Sequence, residues 1–218
     1  MTPAQQDAST EAVRETASEV LKYKGNIVTT YYYSTSCGKT TTMKAWGTSE
    51  NESNGYLQSV EVKDKNGDYE KSLPWYRWEA DIDQDILSTL LAENVKKNIG
   101  TVQSLEVTKT GPGGVALQIK AVGDKGSITV DTENKIRKAL GGNGYEIKKQ
   151  DGTVAQSGTL LPSAFFKVKK AGNIFKIIGG GYGHGIGMSQ NGANEMAKKG
   201  KNYQEILQMF YPGTTIEK

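Results

Sequence analysis

A strand-rich α+β fold is what this sequence predicts, and three observations lead there. Short apolar runs with period-two alternation recur between glycine-bearing turns, helical periodicity is confined to a few segments that gather towards the C-terminus, and neither a repeat nor an interdomain linker interrupts the chain. The expected sheets are mixed or antiparallel and built from hairpins. At 218 residues the chain suits one domain, 1–218, with an elaborated β-rich lobe at about 75–165.

The elements follow in order. The first ten residues, rich in Gln, Ser, Thr and Asp, read as loop, and 10–17 as a short helix. Residues 19–36 read as two strands around Lys24-Gly25-Asn26, the second carrying Tyr31, Tyr32 and Tyr33. Alternation puts Tyr31 and Tyr33 on one face and Tyr32 on the other. A long polar loop is expected at 36–56, a strand at 56–62 and a solvated turn at 63–72. Residues 75–82 alternate as a strand, after which Asp83 or Asp85 caps a helix reaching Asn98, with Ile86, Leu87, Leu90, Leu91 and Val95 as its apolar face.

Residues 101–130 read as a β-meander turning at Gly111-Pro112-Gly113-Gly114 and again at a Gly-Asp-Lys-Gly turn. A short helix at 131–140 is expected to be capped by Asp131 and stopped by Gly141. Hairpins follow around Asp151-Gly152 and Ala171-Gly172-Asn173. Helices at 189–199 and 203–210 and an extended 214–217 close the chain.

Composition bounds the function. Hydrophobic residues make up 36% and mean hydropathy is −0.56, with no apolar run near the ~18 residues that a bilayer span requires. The 27 basic and 24 acidic residues are interspersed, giving a net charge of +3. That balance mildly favours an anionic partner and offers no basic stripe or aromatic motif for nucleic acid. One cysteine, Cys37, and one histidine, His184, leave no disulfide and no Cys- or His-rich metal site, so neither metal nor cofactor is expected. The N-terminal residues lack the basic and apolar regions of a secretory signal, and the expectation is that a signal or anchor precedes them.

The most informative stretch is 179–211. Glycines at 179, 180, 181, 183, 185 and 187 surround the lone His184 and lead into an amphipathic helix. They let the backbone approach a ligand while Tyr182, His184, Ser189, Gln190 and Asn191 project from it. Glycine runs also make plain hairpin turns, and a lone histidine is often only a hydrogen-bonded structural residue. The stretch lacks the lysine of a phosphate loop, and no strand–helix–strand unit follows it to make a dinucleotide site.

Four ordered blocks carry a resemblance: YYYSTSCGKT at 31–40, with Trp46 and GYLQSV at 55–60 after it; KIRKALG at 135–141; LPSAFFKV at 161–168; and GYGHGIGMSQNGANEMAKKGKNYQEILQMFYPGTTI at 181–216. Together they resemble the SpoIID/LytB family, which acts on bacterial peptidoglycan. The resemblance implies a lytic transglycosylase that cleaves glycan strands stripped of their stem peptides, as in sporulation engulfment, or an amidase enhancer. It implies an extracytoplasmic location and, as partners, glycan strands and a cell-wall amidase or other sporulation proteins. Such a reaction needs one carboxylic acid that protonates the glycosidic oxygen and then, as carboxylate, takes the proton of the sugar hydroxyl that attacks.

In the family that glutamate lies upstream of the region aligned here, as does the zinc-binding cluster of some members. Glu11, Glu15 and Glu19 therefore take no catalytic role, and Cys37, where the family usually has Gly or Asn, reads as a small loop or core residue. Substrate-binding residues are expected on two walls: Tyr33, Ser34 and Ser36 on one, Tyr182, His184, Ser189 and Gln190 on the other. Plainer roles stand beside these: Tyr33 in the core, Ser189 as a helix cap, Gln190 on the surface, His184 holding the glycine loop together. Two other functions stay open, a non-catalytic wall-binding module that enhances an amidase and a His184-dependent hydrolase using Ser34, Ser36 or Ser189. The second has no GxSxG elbow in its favour.

Overall fold

The structure, a computed structural model, describes residues 2–218. Helix α1 (Pro3–Glu15) starts earlier than the composition suggested. Thr2 accepts from the Gln5 amide while the Gln5 side chain accepts from the Thr2 amide, so a capping box with proline at the first helical position nucleates it. None of its side chains is buried. Strands β1 (Val20–Tyr23) and β2 (Asn26–Ile27) form the expected hairpin, with Lys24 and Gly25 both at positive φ. The two-residue β3 (Tyr32–Tyr33) puts the two rings on opposite faces as expected, and Tyr33 is the buried one.

The segment 34–62 is irregular apart from one 3₁₀ turn, Met43–Trp46. The strand expected at 56–62 does not form. Its neighbour, the threonine-rich loop, answers with a hydroxyl in place of a ladder: Thr40 N–H donates to Val60 O at 2.9 Å while Val60 N–H donates to Thr40 Oγ1 at 2.8 Å. The turn at 63–72 contains a small hairpin of β4 (Lys63–Asp64) and β5 (Gly67–Asp68), after which Tyr69 and Glu70 turn inward. Pro74–Tyr76 is a 3₁₀ turn, so β6 runs Trp78–Asp83.

The alternation of β6 is what builds the interior. Trp78, Ala80 and Ile82 are buried, whereas Glu79 and Asp81 face out and pair with Lys176. Helix α2 (Gln84–Val95), capped by Asp83, buries Leu87, Leu90 and Leu91, each worth about 1.5–3 kcal/mol of burial. It stops three residues short of the expected Asn98 because Lys96 takes a left-handed conformation. Strands β7 (Val102–Thr110), β8 (Ala116–Gly123) and β9 (Gly126–Asp131) make the antiparallel meander. Helix α3 (Glu133–Leu140) then starts after Thr132 at φ 74°, with Asp131 still in β9 and not a cap.

Strands β10 (Glu146–Lys149), β11 (Val154–Gln156), β12 (Phe166–Ala171) and β13 (Ile174–Gly179) join β6 in a five-stranded antiparallel sheet of order β11-β10-β6-β13-β12. The chain ends in β14 (Met188–Ser189), α4 (Gln190–Lys198), α5 (Tyr203–Phe210) and β15 (Thr215–Glu217), which pairs with β1. The result is the α+β fold of several small, mainly antiparallel sheets, with α4 and α5 near the C-terminus. One continuous core, including Trp78, Leu87, Ile136, Phe175 and Phe210, lies beneath them.

Candidate functional site

The glycine-rich turn after β13 is bonded along its length to the serine-bearing stretch after β3. Tyr32 and Tyr33 pair in parallel with Met188 and Ser189, and Thr35 exchanges two backbone bonds with Tyr182. Thr41 N–H donates to Gly185 O at 2.7 Å, and Asn191 N–H to Ser34 O at 3.0 Å. This approach needs glycine. A Cβ on Gly187, at φ 73°, would lie 2.1 Å from Tyr31 O, and one on Gly183, at φ 120°, would lie 2.7 Å from Tyr33 Cβ. Trp78 secures the turn from below by donating its indole N–H to Gly181 O at 2.9 Å.

His184 has both ring nitrogens engaged with backbone. Ile186 N–H donates to Nδ1 at 3.1 Å, which makes Nδ1 an acceptor and puts the proton on Nε2, and Nε2–H donates to Tyr32 O at 3.0 Å. Burial pushes the imidazole pKa below its ordinary value, against a smaller opposing pull from Glu133. The neutral ring is thus a brace between the two stretches. No serine hydroxyl bonds it among the described residues, which removes the geometry a His-activated serine would require.

Beneath the pairing lies a carboxyl group that the sequence did not advertise. Glu70, fully buried, accepts from Ser36 N–H at 3.0 Å, from the Ser36 hydroxyl in a short bond, and from the Ser189 hydroxyl at 2.7 Å. Ser189 Oγ in turn accepts from Gly192 N–H at 3.2 Å as the cap of α4. Desolvation raises the Glu70 pKa, with the serine hydrogen bonds acting in the opposite sense. Two segments distant in sequence converge on this one side chain and give it three hydrogen bonds.

Above the pairing, His184 opens onto a cleft of about 370 Å³ whose walls include Trp46, Thr132, Asn134, Lys135 and Arg137. The Trp46 indole lies 5.1 Å from the imidazole and 5.0 Å, edge-on, from Tyr31. Glu133 fixes it, accepting from Trp46 Nε1–H at 3.3 Å and from Arg137 at 2.7 Å. Arg137 also donates through Nε to Leu161 O at 2.8 Å, so KIRKALG and LPSAFFKV meet here. An aromatic face ringed by a hydroxyl, a carboxamide and a cation can seat a sugar ring.

The predicted residues therefore share a neighbourhood but divide by depth. Ser36 and Ser189 turn inward to Glu70, and Tyr33 is buried with its hydroxyl unpartnered among the described residues. Ser34 is half-buried beside Thr35. Tyr182 is 42% exposed against Trp75, their ring centroids 4.8 Å apart, and Gln190 is exposed on the first turn of α4. Of the seven, only His184 lines the Trp46 cleft. Trp46 and Arg137 stood in the family pattern without a role, and Glu133 showed only as part of a short helix.

Cys37 is half-buried, and burial pushes its thiol pKa up despite the nearby Arg77 guanidinium, which donates to the Cys37 carbonyl at 3.0 Å. A protonated thiol is a poor nucleophile. Among the described residues no three His, Cys, Asp or Glu side chains gather in a way that could hold a metal ion. Nor is any helix among them long and apolar enough to cross a membrane.

A braced glycine turn, a buried carboxyl clamp and an aromatic cleft lie together where the two motif stretches pair. The chain belongs to the SpoIID/LytB-like proteins and, within residues 35–187, to the family described as a domain of unknown function (DUF8618). It is 30% identical over 207 residues to a Stage II sporulation protein D of Bacillus subtilis (strain 168), covering 95% of this chain and 50% of that protein. An Amidase enhancer of the same organism is 28% identical over 231 residues, covering 94% of this chain and 32% of the relative. A Stage II sporulation protein D of Bacillus amyloliquefaciens is 28% identical over 207 residues, again 95% of this chain and half of the relative. The chain thus spans half or less of the length of these relatives.

Proposed function

We propose that this domain binds peptidoglycan glycan strands outside the cytoplasm, in cell-wall remodelling of the kind sporulation requires. The observation that carries the reading is the junction of the two motif stretches: the parallel pairing of Tyr32–Tyr33 with Met188–Ser189 sets His184 and Trp46 side by side at the rim of one cleft. Names of relatives, Stage II sporulation protein D and Amidase enhancer, support the setting. Within that reading, the whole protein acts as a lytic transglycosylase on strands freed of stem peptides, and these residues form the substrate-holding part.

The acid for that chemistry is not offered by the buried carboxyls described above. Glu70 is fully buried and holds three serine hydrogen bonds, and both Glu133 oxygens are engaged by Arg137 and the Trp46 indole. A proton donor must reach the glycosidic oxygen directly, so in this proposal the glutamate comes from a part of the whole protein outside these residues. The same closed carboxyls favour a second reading, in which the domain is a non-catalytic wall binder that enhances an amidase. Incubating this chain and a longer natural form with peptide-free glycan strands separates them. Anhydro-ended products from the longer form alone support the transglycosylase, and binding without products from either supports the wall-binding module. Failure of both forms to bind the strands would overturn both.

A further inference from the structure

A second, roomier cavity has Tyr31 in its wall, the residue whose ring meets Trp46 of the cleft. It encloses about 680 Å³ between the β1–β2 hairpin and the loop 48–57, with Tyr23, Tyr31 and Tyr56 among its walls and Asn26, Asn54 and Thr29 as polar partners. Its size falls within the range of small-molecule sites. Tyr23 and Tyr56 lean together with ring centroids 5.5 Å apart, and the Tyr56 hydroxyl is fixed by donating to Thr29 O at 2.8 Å.

The loop that closes this cavity is held in shape by its own carboxamides. Asn51 Oδ1 accepts from Ser53 N–H at 2.9 Å and from the Ser53 hydroxyl at 2.7 Å, while Asn54 accepts from Asn51 N–H at 2.9 Å and donates to Ser49 O at 3.0 Å. Asn54 and Asn26, whose amide donates to Lys24 O, each retain hydrogen-bonding capacity for a ligand. The two charges on the rim, Lys24 and Glu52, oppose each other at 3.9 Å. An opening lined by tyrosine rings and carboxamides, and electrically balanced, suits a neutral hydroxylated ring and offers no cationic grip on a phosphate.

The two cavities share one partition. Tyr31 lines the larger cavity, and its ring meets Trp46 of the smaller one edge-on at 5.0 Å. We infer that the tyrosine-lined cavity is a second sugar-ring site and that the ligand is an oligosaccharide lying across Tyr31, with one part at Trp46 and another in the cavity against the Tyr23 side of the packed Tyr23–Tyr56 pair. The inference rests on the saccharide reading of the Trp46 cleft. It adds that recognition depends on chain length, because a disaccharide fills one cavity and a longer strand fills both.

Titration calorimetry with β-1,4-linked N-acetylglucosamine oligomers as the probe tests this on the purified chain. The pentamer is expected to bind about tenfold more tightly than the dimer, and Tyr23→Ala to remove that advantage while leaving dimer affinity within about twofold. Asn26→Ala, at an exposed position that leaves the Tyr23–Tyr56 packing in place, is expected to weaken the pentamer alone. Should Trp46→Ala abolish binding while Tyr23→Ala and Asn26→Ala leave the pentamer untouched, the second site is refuted and the first stands. Absence of binding by the unaltered chain to any oligomer would overturn both.

Discussion

The Ser189 hydroxyl donates to the Glu70 carboxyl at 2.7 Å, joining positions 119 residues apart and tying the start of α4 to the loop after β5. Because Ser36 gives the same carboxyl both its amide and its hydroxyl proton, Glu70 is the node that holds the two motif stretches in place. Replacing it by alanine leaves several buried donors unpaired, at about 1–3 kcal/mol each. Glu70→Ala is expected to cost at least about 3 kcal/mol, or roughly 6–12 °C in Tm for a chain of this size, and Glu70→Gln markedly less. Thermal unfolding followed by circular dichroism measures both. Equal losses for the two variants would mean that hydrogen bonding is not the source of the effect.

Acid should weaken the fold through His184. Its folded-state pKa is depressed by burial, so below the unfolded value of about 6.5 the unfolded chain takes up a proton that the folded chain declines. Stability from this group is complete above that pH and declines as pH falls towards the folded pKa. Glu70, with its pKa raised, acts in the opposite sense, since its contribution is complete below an unfolded value of about 4.3 and is lost as pH rises through the folded pKa. The His184 share is therefore read as the difference between the native chain and His184→Gln in urea midpoints from pH 5 to 8. That difference is expected to shrink towards pH 5, and a constant difference would contradict a pKa depressed by burial.

Tyr33 offers a test with the reverse sign. Its hydroxyl is buried without a partner among the described residues, and burial, then the neighbouring Glu70, drive its pKa well up. Removing an unsatisfied buried hydroxyl relieves a penalty of about 1–3 kcal/mol. Tyr33→Phe is expected to leave Tm unchanged or higher and to bind glycan as the native chain does. A clear loss of affinity would give this hydroxyl a part in the ligand site.

Gly187 should tolerate no side chain. Alanine there adds a Cβ 2.1 Å from Tyr31 O at a backbone angle of φ 73°, and the expected loss is at least about 2 kcal/mol by urea unfolding. A near-neutral Gly187→Ala would show that the two stretches can separate without harm.

Cys37 should be chemically quiet. With its thiol pKa raised by burial, iodoacetamide at pH 7.5 is expected to modify it more slowly in the folded protein than in urea, and Cys37→Ala to leave glycan binding intact. Faster alkylation in the folded state would reverse that assignment.

Much of this was legible in the residues, and the exceptions have physical causes. Alternation put Tyr32 and Tyr33 on opposite faces without saying which is inside, an aspartate cap at 83 or 85 and apolar spacing marked α2, and the glycine density around His184 marked the turn that meets the tyrosine-serine stretch. Glu70 escaped notice because it stands among Lys, Asp and Asn residues that read as solvated, and only the adjacent Tyr69 hinted that this stretch turns inward. The non-strand at 56–62 was hidden because period-two patterning cannot tell a ladder from a segment bonded by threonine hydroxyls. The start of helix α1, expected only from residue 10, was missed because its Thr-Pro-Ala-Gln opening looks like loop composition until it is read as a capping box. The Trp46 cleft depends on contacts among residues nearly 140 positions apart, from Trp46 to His184, which no local pattern records.

The central claim is that the Trp46–His184 cleft is where a glycan strand is held. Nuclear magnetic resonance titration with a tetramer of β-1,4-linked N-acetylglucosamine tests it most directly, because the Trp46 indole N–H, bonded to Glu133, reports from the cleft wall. The account predicts that this resonance and the amides of 182–186 move together and saturate with the ligand. Saturable shifts elsewhere while these stay fixed, or no shifts at all, would contradict it.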